Sequence, residues 1–133
     1  MKRRATPVVA LALLLGAAGE APGDAIVAYC GGGVTGGGSG TRIEADGAVL
    51  RLRRPLAGAP LEETRAGQPA PYARITALLD AAGFERMPRG TPANMTCSIT
   101  RQQGGRSHQV MWPAGQPPAP LRPALREIEA AGR

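Results

Sequence analysis

From residue 25 onward the chain switches between two spacings of apolar positions. Ala25 to Cys30 is a short apolar run (AIVAYC) bounded by Gly23-Asp24 and Gly31, which predicts a first strand. Gly31 to Gly40 (GGGVTGGGSG) reads as a glycine-rich connection. Thr41 to Ala45 predicts a second strand, with Ile43 and Ala45 on one face and Arg42 and Glu44 on the other. Asp46-Gly47 is a two-residue hairpin signal, because Gly accepts positive φ freely and Asp tolerates it. Ala48 to Arg53 predicts a third strand, with Leu50 and Leu52 toward the core and Arg51 and Arg53 toward solvent.

A loop rich in Pro, Gly and charge follows over Pro55 to Pro69. Pro71 can open a helix, since its missing N–H would be unpaired there anyway. Tyr72, Ile75, Leu78, Leu79 and Ala82 then recur at helical spacing, and Gly83 is a natural stop. Phe84 and Met87 return the chain to the core, and 88–94 is another loop. Met95, Cys97 and Ile99 alternate with Thr96, Ser98 and Thr100 as a fourth strand. Gln103-Gly104-Gly105 turns the chain into a fifth strand, Ser107 to Trp112. After a break at Pro113 to Pro120, Leu121, Leu125 and Ile128 mark a closing helix. The order β-β-β-α-β-β-α implies an α+β fold: a mostly antiparallel sheet of about five strands with helices on one face.

The segment before this pattern has a different logic. Residues 1–19 begin Met-Lys-Arg-Arg, continue as an apolar run from Val8 to Leu15, and end in Gly16-Ala17-Ala18-Gly19. That is the charge, apolar and small-residue succession of an export signal. Ala17 and Gly19 suit a cut before Glu20, and a cut after Ala18 fits nearly as well. The apolar run is shorter than the roughly 20 residues needed to span a bilayer. No Cys follows it to carry a lipid anchor. The expectation is a signal peptide over 1–19 and a single domain over 20–133, secreted or periplasmic, with no membrane span after cleavage.

Composition narrows the picture further. Hydrophobic residues make up 43% of the chain but aromatics only 3%, so the core must rest on aliphatic side chains. Gly (19) and Pro (13) predict long turns and short elements. The formal charge is +6, yet Lys2, Arg3 and Arg4 fall in the export signal, so the remainder carries about +3. Its arginines are scattered apart from Arg51, Arg53 and Arg54. That distribution argues against nucleic acid and suggests that this trio blunts an exposed strand edge. Cys30 and Cys97 are the only cysteines. An even count in an exported chain predicts a disulfide, here closing a loop of about 67 residues.

Candidate chemistry is sparse. Gly31-x-Gly33-x-x-Gly36 has the letters of a dinucleotide fingerprint, but a strand rather than a helix is expected after it, so a hairpin connection is the better reading. His108, the only histidine, alternates with Val110 and Trp112 and has no evident Ser, Asp or Cys partner, which reads as a rim or surface position. Glu62-Glu63 looks like a solvated pair, and Glu127 and Glu129 fall on different helix faces. No catalytic residues, metal ligands or cofactors are assigned, and the chain is not expected to be an enzyme. Val34 is the one apolar residue at the tip of the glycine loop, so Val34 and Thr35 are the candidate contact residues.

A succession of motifs also resembles a known family. These are the first strand running into Gly31-Gly32-Gly33-Val34-Thr35-Gly36, the hairpin at Ala45-Asp46-Gly47, the helix ending Ala82-Gly83-Phe84, and Asn94 to Ile99. Ser107 to Pro113 and the Leu-rich closing helix complete the set. Over roughly residues 26–128 the chain resembles the small bacterial proteins similar to emfourin, the protealysin-associated inhibitor of thermolysin-like metalloproteases. Its motifs are mostly turn glycines and core positions, which speak more for fold than for function. The export signal, the cysteine pair and a longer glycine loop depart from that pattern, and no inhibitory residue can be carried over. The resemblance implies only that inhibition of a secreted or periplasmic protease is the activity to test first. Together with export, a disulfide-braced small domain and the lack of a catalytic constellation, it leads to the expectation of a monomeric protein-binding module, with a thermolysin-like metalloprotease inhibitor as the specific form to test. The alternative is a structural or envelope-associated domain without inhibitory activity.

Overall fold

The computed structural model describes residues 23–133; the expected export signal over 1–19 lies outside them. The fold is α+β. Six antiparallel strands form one sheet in the order β4-β3-β2-β1-β5-β6, with β1 at Ala25–Gly32, β2 at Gly38–Glu44, β3 at Val49–Arg54, β4 at Glu62–Arg65, β5 at Met95–Gln103 and β6 at Arg106–Pro113. The first four strands step outward as hairpins. Helix α1 (Tyr72–Ala81) then carries the chain back to the inner edge of β1, where β5 and β6 complete the sheet. Helix α2 (Arg122–Ala131) closes the chain.

Both helices pack on one face. Ile26 and Ala28 of β1, Ile43 of β2, Val49 of β3, Ile99 of β5 and Val110 of β6 form the sheet side of the core. Ile75 and Leu79 from α1, Leu121 from the turn before α2, and Ala124 and Ile128 from α2 form the helix side. Gly83 ends α1 in the left-handed conformation, and a short 3-10 turn, Phe84–Arg86, drops the Phe84 ring into the core, fully buried. Arg74 and Glu127 link the two helices at 3.1 Å.

Several sequence expectations change in detail. β4 falls inside the stretch read as a loop: all four of its residues are exposed, so an outermost strand leaves no apolar alternation to detect. It also makes β3 an interior strand, so Arg51, Arg53 and Arg54 do not blunt a sheet edge. The glycine connection is shorter than it looked, because Gly31 pairs with Gly38 and Cys30 with Ser39, leaving the turn to 33–37.

The β2–β3 hairpin carries the most consequential difference. The Glu44 N–H donates to the Ala48 carbonyl and the Gly47 N–H to the Glu44 carbonyl, so the connection is three residues, Ala45-Asp46-Gly47, not two. Gly47 takes φ 90°, and Asp46 Oδ1 accepts from the Ala48 N–H at 2.8 Å. One extra residue flips the parity of the following strand. Ile43 pairs with Val49 rather than Leu50. Leu50 and Leu52 therefore lie on the face away from the helices, where Leu52 is still buried, and Arg51 and Arg53, exposed as expected, share the helix-side face with Thr41 and Ser39.

On that opposite face the Tyr29 ring lies over β1 and β2. An added Cβ on Gly31 would come 2.8 Å from Tyr29 Cε1, one on Gly40 would come 3.0 Å from Tyr29 Cδ2, and one on Gly38 would collide with the Tyr29 hydroxyl. The glycines thus leave a flat bed that the one aromatic side chain fills.

Candidate functional site

Two features share one end of the sheet. The first is the β1–β2 turn. Its main chain is held from three sides: Gly32 N–H donates to the Gly37 carbonyl, Gly33 N–H to Asn94 and Ala57 N–H to Thr35. Gly33 and Gly36 take φ 72° and 66°, conformations that L side chains avoid. Thr35 contributes its carbonyl to Ala57 and its Oγ1 to the Gly37 N–H at 3.2 Å. Val34 is left fully in solvent at the apex. Leu56 (54% exposed) and Met95 (42% exposed) lie in the segments bonded to either side of this turn. Of the two candidate contact residues, Val34 presents its side chain outward and Thr35 chiefly shapes the loop that presents it.

The second feature is a groove of about 1140 Å³ between α2 and the helix-side face of the strands. Its floor includes Ala28, Ser39, Trp112 and the Cys30–Cys97 disulfide. The two cysteines sit directly opposite each other in the β1–β5 ladder, so the predicted bridge joins neighbouring strands. Cys97 is buried, whereas Cys30 is exposed on the groove floor. Its walls carry Arg51 and Arg53 from β3, and Arg122, Leu125, Arg126 and Glu129 from α2. Arg51 donates through Nε to the Gly132 carbonyl at 2.8 Å, tying β3 to the end of α2. Arg126 Nε makes a long bond of 3.4 Å to the Arg122 carbonyl. The side chains of Arg53 and Arg122 have no partner among the described residues. Four guanidiniums against one carboxylate give the concavity a marked positive potential.

The remaining sequence candidates are structural. Gly31 belongs to β1, Gly33 and Gly36 shape the turn, and the next element is strand β2, so no helix N-terminus faces the glycines. His108 is half-buried: its Nε2 lies 3.1 Å from the Met87 carbonyl, and its ring meets Phe84 edge-on at 5.1 Å. Beside it on the sheet, Arg101 is buried and pairs with Asp80 at 2.6 Å and Glu85 at 3.8 Å. Glu127 is engaged with Arg74. Among the described residues no three His, Cys, Asp or Glu side chains are grouped to hold a metal ion, and no helix is long and apolar enough to cross a membrane.

Sequence reasoning missed the groove. Its signals were present: Arg122 and Arg126 are four apart on α2, and Arg51 and Arg53 are two apart on β3, each pair on one face. What the sequence could not supply was the parity of β3, which turns the second pair toward the first. No protein-family profile matches the chain, and no curated protein does.

Proposed function

We propose that the protein is an exported, non-enzymatic recognition module that docks on a partner protein through the end of the sheet carrying Val34. The observation that carries this reading is an aliphatic side chain fully in solvent on a turn whose backbone is bonded to both neighbouring segments. A tip already fixed in shape loses little conformational freedom on binding, so apolar contacts made by Val34, Leu56 and Met95 translate efficiently into affinity. A cross-linked domain also suits the oxidising compartment that the export signal implies.

The family resemblance makes thermolysin-like metalloproteases the first partners to test, with the protein acting as a monomer. Purified protein at micromolar concentration is titrated against a panel of such proteases with a fluorogenic substrate. Stoichiometric inhibition of at least one, weakened tenfold or more by Val34→Asp, supports the reading. Full activity across the panel contradicts the protease assignment. Inhibition indifferent to Val34→Asp contradicts the tip.

A further inference from the structure

The groove beside α2 is not needed to present the tip, and its chemistry is different. We infer that it holds an extended segment of a protein partner, acidic at both ends and apolar in the middle. This deepens the reading of the protein as a recognition module and rests on it for the source of the segment.

The length of the site comes from the topology. The groove runs across β3, β2, β1, β5 and β6, four inter-strand steps or about 19 Å. An extended chain rises about 3.3 Å per residue, so about six residues fill that distance. The charge is spread over the same span. Arg51 meets the Gly132 carbonyl at the β3 end. Arg122, at the other end of α2, lies about 15 Å along the helix from Gly132. Arg53 accompanies Arg51, and Arg126 falls between the extremes. The middle of the floor is apolar or sulfur: Ala28, the disulfide and Trp112, with Leu125 above.

A ligand with a single anionic head would satisfy one end and leave the other arginines facing its tail. A segment with carboxylates near both ends and aliphatic side chains between them matches Arg51 and Arg53 at one end, Arg122 at the other and the apolar floor between, while Arg126 adds positive charge along the middle of the wall and Glu129 offsets part of it near Gly132. The Arg53 and Arg122 guanidiniums, without partners among the described residues, are well suited to take carboxylates in paired hydrogen bonds. The groove also opens at the sheet end that carries Val34, since Cys30, Ser39 and Ala114 lie next to the residues that support the tip. A partner docked on the tip therefore has a short path into the groove.

The test uses a fluorescein-labelled eight-residue peptide with two aspartates at each end of a Val-Leu-Val-Leu core, and its counterpart with lysines in place of the aspartates. Fluorescence anisotropy is read with the purified protein at low salt and at 0.5 M salt. The acidic peptide is expected to bind at least tenfold more tightly than the lysine peptide, and salt to erode the difference. In the double variant Arg53→Glu, Arg122→Glu the preference should reverse. Among the described residues neither side chain has a partner to lose, and Glu at the start of α2 suits the helix dipole, so the variant is expected to fold, as circular dichroism will report. Equal binding of the two peptides, or an unchanged preference in the double variant, overturns the inference. So does dodecanoate binding in place of the acidic peptide, which would assign the groove to single-headed amphiphiles. Val34→Asp separates the two claims: it should leave peptide binding intact even where no protease docks, and loss of peptide binding there would place the peptide on the tip.

Discussion

Replacing both cysteines with alanine (Cys30→Ala, Cys97→Ala) isolates what the cross-link contributes. The bridge closes a loop of 67 residues, and the chain-entropy relation assigns such a loop about 4 kcal/mol at 25 °C. Against a total stability of about 5–15 kcal/mol that is a major fraction. The native sheet does not need the bond to define its register. Ala28 faces Ile99 and Tyr29 faces Ser98 on the same ladder, and β2 pairs with the other side of β1. The variant should therefore fold to the same structure and melt about 16 °C lower, at about 4 °C per kcal/mol for a domain of about 110 residues. The assay is urea unfolding followed by circular dichroism, with the oxidised parent beside the variant. Freed of the bridge, the unfolded chain expands, so the m-value should rise as the free energy falls. A loss below about 1 kcal/mol with an unchanged m-value would refute the reasoning, because the bond would then not be restricting the unfolded chain.

Three further substitutions probe the packing. Phe84→Ala should cost about 3–5 kcal/mol in urea unfolding, since the ring is fully buried and supports the His108 edge contact. Gly40→Ala should cost about 1–3 kcal/mol by thermal melt, because the new methyl group would run into the Ala28 carbonyl and the Tyr29 ring. Asp80→Asn should cost about 1–2 kcal/mol, after allowing for the water around the exposed Asp80 side chain. Arg101→Met should cost less than Asp80→Asn, because it removes a buried cation whose Nε has no partner among the described residues instead of stranding it. The reverse order in urea unfolding would show that the guanidinium itself stabilises the fold.

The fold was legible where burial imposes a period. Helix α1 reads directly from Tyr72, Ile75 and Leu79, and β6 from Val110 and Trp112, because one face of each element is in the core. The pairing of Cys30 with Cys97 followed from their count and the expected compartment. β4 was illegible because a strand of Glu, Glu, Thr and Arg with no buried face carries no pattern. The orientation of β3 was misjudged for a more instructive reason. Val49-Leu50-Arg51-Leu52-Arg53 alternates well enough to suggest that the leucines face the core, but the hairpin decides the matter, and Asp-Gly serves two-residue and three-residue turns alike. The tip was visible as a lone Val among glycines, whereas the groove was not, since its arginines come from elements about 70 residues apart and meet only through the register that the hairpin sets.

The most direct test of recognition at the Val34 end is amide hydrogen exchange of the protein alone and in the presence of a thermolysin-like protease. The predicted result is slowed exchange in 33–37, 54–58 and 94–96, with the turns at 45–47 and 103–106 at the far end of the sheet unchanged. Protection confined to those far turns, or to the Tyr29 face, would contradict the account.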